Sequence, residues 1–172
     1  MSSWDFGKQD VVRWICEHFP VGSTCLDVGP SDGKWSYLLG NHMVMDAVEI
    51  YEPYINVFEL YKIYRKVYCG DVANFTYDYY DVVLFGDVIE HMTVANAQKV
   101  IKYAEPRCKS IIVAVPFECE QGPMRGNKWE EHIQDDLTPE LFDERYPGFT
   151  LLCKPVPSYA YYVKDGRGGE QK

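Results

Sequence analysis

Paired cysteines are missing from this chain. Cys16, Cys25, Cys69, Cys108, Cys119 and Cys153 stand at irregular spacings, with no C-x-x-C pair and no zinc-type ligand pattern. The opening Met1-Ser-Ser-Trp-Asp-Phe6 has neither a basic stretch nor an apolar run of the secretory kind. Reduced, mostly buried thiols and a cytosolic location are therefore expected. Long hydrophobic runs are also missing: Ile111–Val115 is typical of the longest, far below the roughly 20 residues that cross a bilayer. Positive charge is scarce, with 17 Lys and Arg against 26 Asp and Glu, a formal net charge of −9. That balance disfavours indiscriminate grip on nucleic-acid phosphates or on an acidic membrane surface, both of which rest on clustered cations. No repeat or low-complexity block interrupts the 172 residues before a polar tail over 166–172, where a flexible end is expected.

What the chain does have is a regular alternation. Short β-branched runs at Thr24–Val28, Val44–Ile50, Lys66–Cys69, Asp81–Phe85 and Ser110–Val115 alternate with helical patterns. The helical patterns fall at about Asp5–Phe19, Lys34–Asn41, Pro53–Tyr64 and Thr93–Ala104, the last with Thr93 as its N-cap. Parallel strands need crossover connections, so this order predicts an α/β fold with helices on both faces of the sheet. The end of the chain departs from it. After a helix near Thr138–Tyr146, the runs Thr150–Val156 and Tyr159–Lys164 are joined only by Pro157-Ser158, which suits an antiparallel hairpin. The expectation is a Rossmann-like, seven-stranded, mostly parallel sheet that closes with this hairpin. Such a sheet binds ligands beyond the C-terminal ends of its strands.

The first of those ends reads Cys25-Leu-Asp-Val-Gly-Pro-Ser-Asp-Gly-Lys-Trp35. An apolar strand runs into an acid, then into a glycine turn whose amides can face a polar ligand, then into a helix. A nicotinamide-type G-x-G-x-x-G begun at Gly29 is met at one glycine of three, with Ser31 and Lys34 at the others. A phosphate-cradling P-loop is off by one residue and has Trp35 where a metal-binding hydroxyl belongs. An acid followed by G-x-G-x-G matches at Asp27, Gly29 and Gly33, with Ser31 in the middle.

At these residues the sequence resembles the class I S-adenosylmethionine-dependent methyltransferases, over roughly residues 20 to 165. The resemblance implies cofactor contacts at Asp27, Gly29 and Gly33. It also implies a ribose-binding acid at Glu49, which lies 22 residues beyond Asp27 and is followed by Ile50. A carboxylate suits that role because it can accept from two vicinal hydroxyls; Glu52 competes for it. An adenine-facing acid is implied at Asp71, next to Val72, although an ordinary turn aspartate explains Asp71 as well. The run Tyr80-Asp-Val-Val-Leu-Phe-Gly-Asp-Val-Ile-Glu-His-Met92 resembles the family's fourth-strand motif, which implies a place for Gly86 beside the methionine moiety. Trp35 and Tyr37 read as packing residues.

The reaction so implied is in-line displacement at a sulfonium methyl, which mainly needs positioning. A hydroxyl acceptor needs a base or a metal as well. His91 and His132 should border one cleft, and each is a candidate catalytic base. As candidate metal ligands, Asp87, Glu90 and His91 form a D-x-x-E-H cluster, with His132 a candidate fourth. It resembles the E-x-x-E-H cluster of ubiquinone-pathway O-methyltransferases and of small-RNA 3′-terminal 2′-O-methyltransferases, some of which use a divalent cation. Its i, i+3, i+4 spacing suits one helical face. A capping box made by Asp87 and Glu90 explains the same residues without metal.

Residues 1–165 are thus expected to form one methyltransferase domain, with an N-terminal helix over 1–20. That helix's Trp4, Phe6 and Trp14 are placed to close over the cofactor. A loop over 117–136, with Arg125, Lys128 and Trp129, should select the acceptor. The expected activity is methyl transfer to a hydroxyl, or to an amine, of a small-molecule acceptor, with S-adenosylmethionine as cofactor and S-adenosylhomocysteine as product. RNA 3′-end 2′-O-methylation and a non-catalytic cofactor-binding subunit are the alternatives. With so little chain outside the core, a second copy or partner subunit is a further candidate for completing the acceptor site.

Overall fold

The structure, a computed structural model, describes residues 5–124 and 126–168. Trp4, Arg125 and residues 169–172 of the tail lie outside the described residues. Seven strands form one sheet: β1 Ser23–Val28, β2 Met43–Glu49, β3 Lys66–Cys69, β4 Tyr80–Gly86, β5 Cys108–Pro116, β6 Thr150–Val156 and β7 Tyr159–Asp165. Their order across the sheet is β3-β2-β1-β4-β5-β7-β6. The first five pair in parallel, and β7 runs antiparallel to both β5 and β6. Helices α1 Lys8–His18, α2 Lys34–Leu39, α3 Glu52–Val57, α4 Val94–Ala104 and α5 Pro139–Arg145 connect or flank the strands.

Alternation along each central strand sorts its side chains to two cores. In β4, Val82 and Leu84 pack with Val11, Ile15 and Leu39 of α1 and α2. Val83 and Phe85 point the other way, to Val100, Ile101 and Phe142 of α4 and α5. Strands covered on both faces must be apolar at both parities, which is why β4 and β5 read as continuous hydrophobic runs. Threonine opens the second pair of helices: Thr93 Oγ1 accepts from the Asn96 amide (3.3 Å) and Thr138 Oγ1 from the Leu141 amide (3.2 Å). On edge strand β6, Pro155 sits in a stretch with register shifts, where its missing N–H costs no central ladder bond.

Two expectations are corrected. The helix foreseen over Pro53–Tyr64 is broken: α3 stops at Val57, Glu59 turns left-handed (φ 49°), and a 3₁₀ turn covers Leu60–Lys62. A continuous helix would rotate Leu60 and Tyr64 roughly 80–120° away from the buried side of Tyr54; the break lets all three be buried. The thiols are free but not mostly buried, since Cys25 and Cys108 are buried, Cys16 and Cys69 exposed and the other two intermediate.

Candidate functional site

The sheet's strand order reverses between β1 and β4, and the crevice beyond their C-terminal ends is where this topology leaves room for a ligand. A cavity of about 250 Å³ lies there. Its floor is the turn after β1. Gly29 (φ 66°) and Ser31 (φ 50°) both occupy the left-handed region, and the Gly29 amide donates to the Val48 carbonyl (2.9 Å). A Cβ on Gly29 would stand 2.8 Å from Val88 Cγ2, so both backbone angle and space require glycine. Ser31 holds a conformation that glycine adopts at lower cost, which explains the glycine in the motif it departs from.

Glu49 ends β2 and ties this turn in place. Its carboxylate accepts from the Tyr51 amide (2.8 Å) and the Ser31 amide (3.3 Å), while burial raises its pKa. Its remaining lone pairs can accept from a ligand's hydroxyls. Glu52, its competitor, does not line the cavity. Asp71 lines it and also shapes its own turn, accepting from the Ala73 amide (2.8 Å). Ile50, Val72 and Gly86 line it as well. Asp27 and Gly33 do not: Asp27 lies behind the turn, 1% exposed, accepting from the Tyr64 hydroxyl (2.5 Å), and burial pushes its carboxyl up to about 7.

At the other end the backbone departs from the helix that the D-x-x-E-H spacing assumed. Asp87 is left-handed (φ 58°) and only Ile89–His91 form a short 3₁₀ turn. The i, i+3, i+4 face is therefore not built. Asp87 instead accepts from the Tyr159 hydroxyl of β7 (2.6 Å), and Thr93, not Asp87, caps α4. Glu90, His91 and His132 do converge, with one ligand atom from each lying within 4.8 Å of the others. The two imidazole rings are 4.8 Å apart, edge to face.

Gln134 makes this convergence possible. Its side-chain amide donates to the carbonyls of Ile89 (2.7 Å) and Met92 (3.0 Å), and the amides of Ile133 and Gln134 both donate to Glu90 O. These bonds staple the segment carrying His132 onto the turn carrying His91. The pairing is set by hydrogen bonds between residues more than 40 positions apart, and no local motif announces it.

Each histidine shows a bond from Nδ1 to a backbone carbonyl, His91 to Glu131 O (3.0 Å) and His132 to Cys119 O (2.6 Å). A carbonyl only accepts, so each Nδ1 carries the proton and each Nε2 lone pair faces the cavity side. Burial lowers the pKa of His91 and keeps it neutral near pH 7. Burial, with the nearby Asp87 charge, holds Glu90 well above the carboxylate range. Neither oxygen of Glu90 accepts a hydrogen bond from another described residue.

Six buried side-chain N or O atoms lack a partner among the described residues, and five of them belong to Asp27, Trp35, Asp87 and Glu90, in or directly behind this cavity. Buried polar groups left unpaired cost free energy, so their clustering marks a place prepared for a polar ligand. Trp35, read from the sequence as packing, does pack against Tyr161, yet its indole N–H is one of these atoms. Of the N-terminal aromatics, Phe6 is 55% exposed and Trp14 stacks on His18, and neither lines the cavity. The acceptor-side rim carries the half-exposed Trp129, covered by Lys128 (4.6 Å), and Ile133.

No protein-family model matches the chain, and no curated protein matches it in sequence. Solved structures do. A S-adenosylmethionine-dependent methyltransferase from Clostridium acetobutylicum superposes with a TM-score of 0.71 at 14% identity, over 95% of this chain and 93% of its own. DhpI in its SAH complex gives 0.71 at 12% identity over 93% and 84%. The magnesium protoporphyrin IX methyltransferase ChlM of Synechocystis, with bound SAM, gives 0.62 at 15% identity over 90% and 76%. The chain shares their Rossmann-like fold, the mostly parallel seven-stranded sheet with its antiparallel C-terminal pair.

Proposed function

We propose that the chain is a S-adenosylmethionine-dependent methyltransferase that methylates a hydroxyl of a small-molecule acceptor. One observation carries this reading: a single cavity at the switch point holds Glu49 and Asp71 at one end and Glu90, His91 and His132 at the other, with Gly29 and Gly86 between. The acids at the first end suit a ribose diol and an exocyclic amine, and the acid-rich lining favours a sulfonium cation. In the reaction the methyl carbon leaves sulfur as it bonds to the acceptor oxygen. The sulfonium charge is neutralised, and the hydroxyl proton passes to a base or to water.

The second end fits a divalent cation. Glu90 offers a buried carboxylate without partners, and both histidines have their Nδ1–H fixed by carbonyls, the arrangement that orients Nε2 as a ligand. When bound there, the cation would lower the pKa of an acceptor hydroxyl. Glu90, His91 and His132 would hold it, and Gln134 keeps His132 in place. With the cation seat empty, the neutral His91 is the group able to accept the proton.

The rim argues for a small acceptor over an RNA end. Lys34 is the one Lys or Arg among the described residues lining the cavity, and Trp129 and Ile133 offer apolar surface instead of a phosphate track. Calorimetry with S-adenosylhomocysteine tests the cofactor: the wild type binds, and Glu49→Ala weakens binding about tenfold or more. A wild type that fails to bind overturns the reading. Manganese titration of the wild type and Glu90→Gln tests the cation seat. Activity unchanged by exhaustive chelation removes the cation and leaves the base role. Methyl labelling of RNA oligonucleotides, with none of small hydroxyl acceptors, reverses the choice of acceptor.

A further inference from the structure

The ionisable groups around the cavity are lopsided. Glu49, Asp71, Asp87, Glu90 and Glu130 line it, against Lys34 as the sole lysine or arginine among the described lining residues. Over Trp35 stands a second cation, Lys8, in the first turn of α1. It is 2% exposed, its ammonium lies 4.4 Å from the centre of the Trp35 ring, and its charge acts on Asp87, Lys34 and Asp27. The segment that delivers Lys8 is pinned. The Tyr161 hydroxyl donates to Phe6 O (3.0 Å), and a Cβ on Gly7 would stand 2.8 Å from Pro155 and 2.9 Å from Tyr161.

This corner has a definite chemistry. Lys34 and Lys8 supply positive charge, the buried Trp35 indole supplies an unpaired N–H, and the buried Asp87 Oδ2 is an unpaired acceptor. A group bearing a carboxylate beside an ammonium, the head of an α-amino acid, offers an acceptor to these cations and the indole N–H and a donor to Asp87. The carboxylate position on Lys34 is already taken: Asp5 Oδ1 lies 2.7 Å from Lys34 Nζ, and the Asp5 side chain is 81% exposed. An exposed carboxylate reaching in from the solvent side is easily displaced, because such pairs are weak in water.

We propose that Asp5 is an internal stand-in for a ligand carboxylate. It occupies Lys34 until the amino-acid head of the cofactor displaces it, so residues 5–8 form a latch that discriminates for ligands with that head group. The inference rests on the cofactor reading above and deepens it. Binding proceeds by exchange: the ligand carboxylate replaces Asp5 on Lys34, the ligand ammonium reaches Asp87, and Asp5 returns to water. Lys8 stays in place over Trp35 and maintains the field that makes the corner attractive to an anion.

Two ligands separate this inference from the reading beneath it. S-adenosylhomocysteine carries the amino-acid head, and 5′-methylthioadenosine lacks it but keeps the nucleoside and sulfur. In calorimetry, Lys34→Met is expected to weaken S-adenosylhomocysteine about ten- to hundredfold and methylthioadenosine less than about twofold. Asp5→Asn is expected to tighten S-adenosylhomocysteine about two- to fivefold, with methylthioadenosine unchanged. In the Lys34→Met background the gain from Asp5→Asn should vanish, because the two residues act through one interaction. A gain that persists there, a gain shared by methylthioadenosine, or a Lys34→Met variant with unaltered S-adenosylhomocysteine affinity overturns the latch. If the wild type binds neither ligand, the cofactor reading fails first and takes the latch with it. Asp5 and Lys34 are not core residues, so folding is checked by far-UV circular dichroism and is expected to be unchanged.

Discussion

Replacing Asp27 by asparagine should change how stability depends on pH. The carboxyl is buried behind the glycine turn and held up to about 7, with burial as the main cause, against 3.8 when unperturbed. The unfolded chain therefore releases this proton near pH 4, while the folded chain keeps it until about pH 7. Between those values the native state binds more protons, so this group makes the fold less stable as pH rises. The penalty is absent below about pH 4 and complete above about pH 7, where it amounts to about 4 kcal/mol. Asp27→Asn has no proton to lose, and its side-chain oxygen can still accept from Tyr64. Its amide nitrogen takes the place of an unpaired oxygen, a fixed cost of about 1–3 kcal/mol that does not depend on pH. The observable is therefore the slope. Urea unfolding of both proteins at pH 5, 6, 7 and 8 should show the variant gaining on the wild type by about 1.4 kcal/mol per pH unit up to about pH 7, then levelling. The total gain from pH 5 to pH 8 should be about 3 kcal/mol. A constant difference across the series would refute the reasoning, because it would mean that Asp27 is ionised in the fold throughout.

Three further substitutions test the architecture of the site. Ser31→Gly removes a left-handed non-glycine residue and should stabilise the protein by about 1 kcal/mol in the same urea assay, with ligand affinity kept. Gly86→Ala would place a Cβ 2.7 Å from Trp35 Nε1 at the cavity floor. A destabilisation of about 1–3 kcal/mol is expected, with weaker S-adenosylhomocysteine binding in calorimetry. Gln134→Ala deletes the amide that holds Ile89 and Met92 and the oxygen that accepts from the Tyr146 hydroxyl (2.8 Å). About 2–4 kcal/mol of stability should be lost in urea unfolding, and manganese affinity should fall as His132 separates from His91.

The parts of this molecule legible in the sequence are those whose cause is local. Periodicity separates strand from helix, and so β1 to β5 and the hairpin stand close to where the residues imply. Gly29, Glu49 and Gly86 could be picked out because the ends of parallel strands are fixed by topology. Where a single backbone angle changes the outcome, the signal fades: Glu59 breaks a helix and Asp87 unmakes a ligand-bearing face, and neither residue type advertises φ near +50°. The rest is non-local. Tyr159 meets Asp87 across 72 positions and Gln134 reaches Ile89 across 45, so nothing in either neighbourhood points to the other. Lys34 and Lys8 escaped notice for a different reason. A lysine in a helical pattern looks like a solvated surface charge, and only the fold shows that one lines the cavity and the other is buried beside it.

The insertion of β7 between β5 and β6 has a consequence for how the chain comes into being. Synthesis runs from the N-terminus, so α1 through β5 emerge before the strand that completes the sheet. Tyr159 secures Asp87, and Tyr161 clamps the backbone at Phe6 and Gly7. Until those tyrosines leave the ribosome, Tyr159 is missing from the cavity wall and Phe6 and Gly7 lack their clamp. The contacts at Asp87 and Phe6 thus form only after the hairpin strand has joined the sheet.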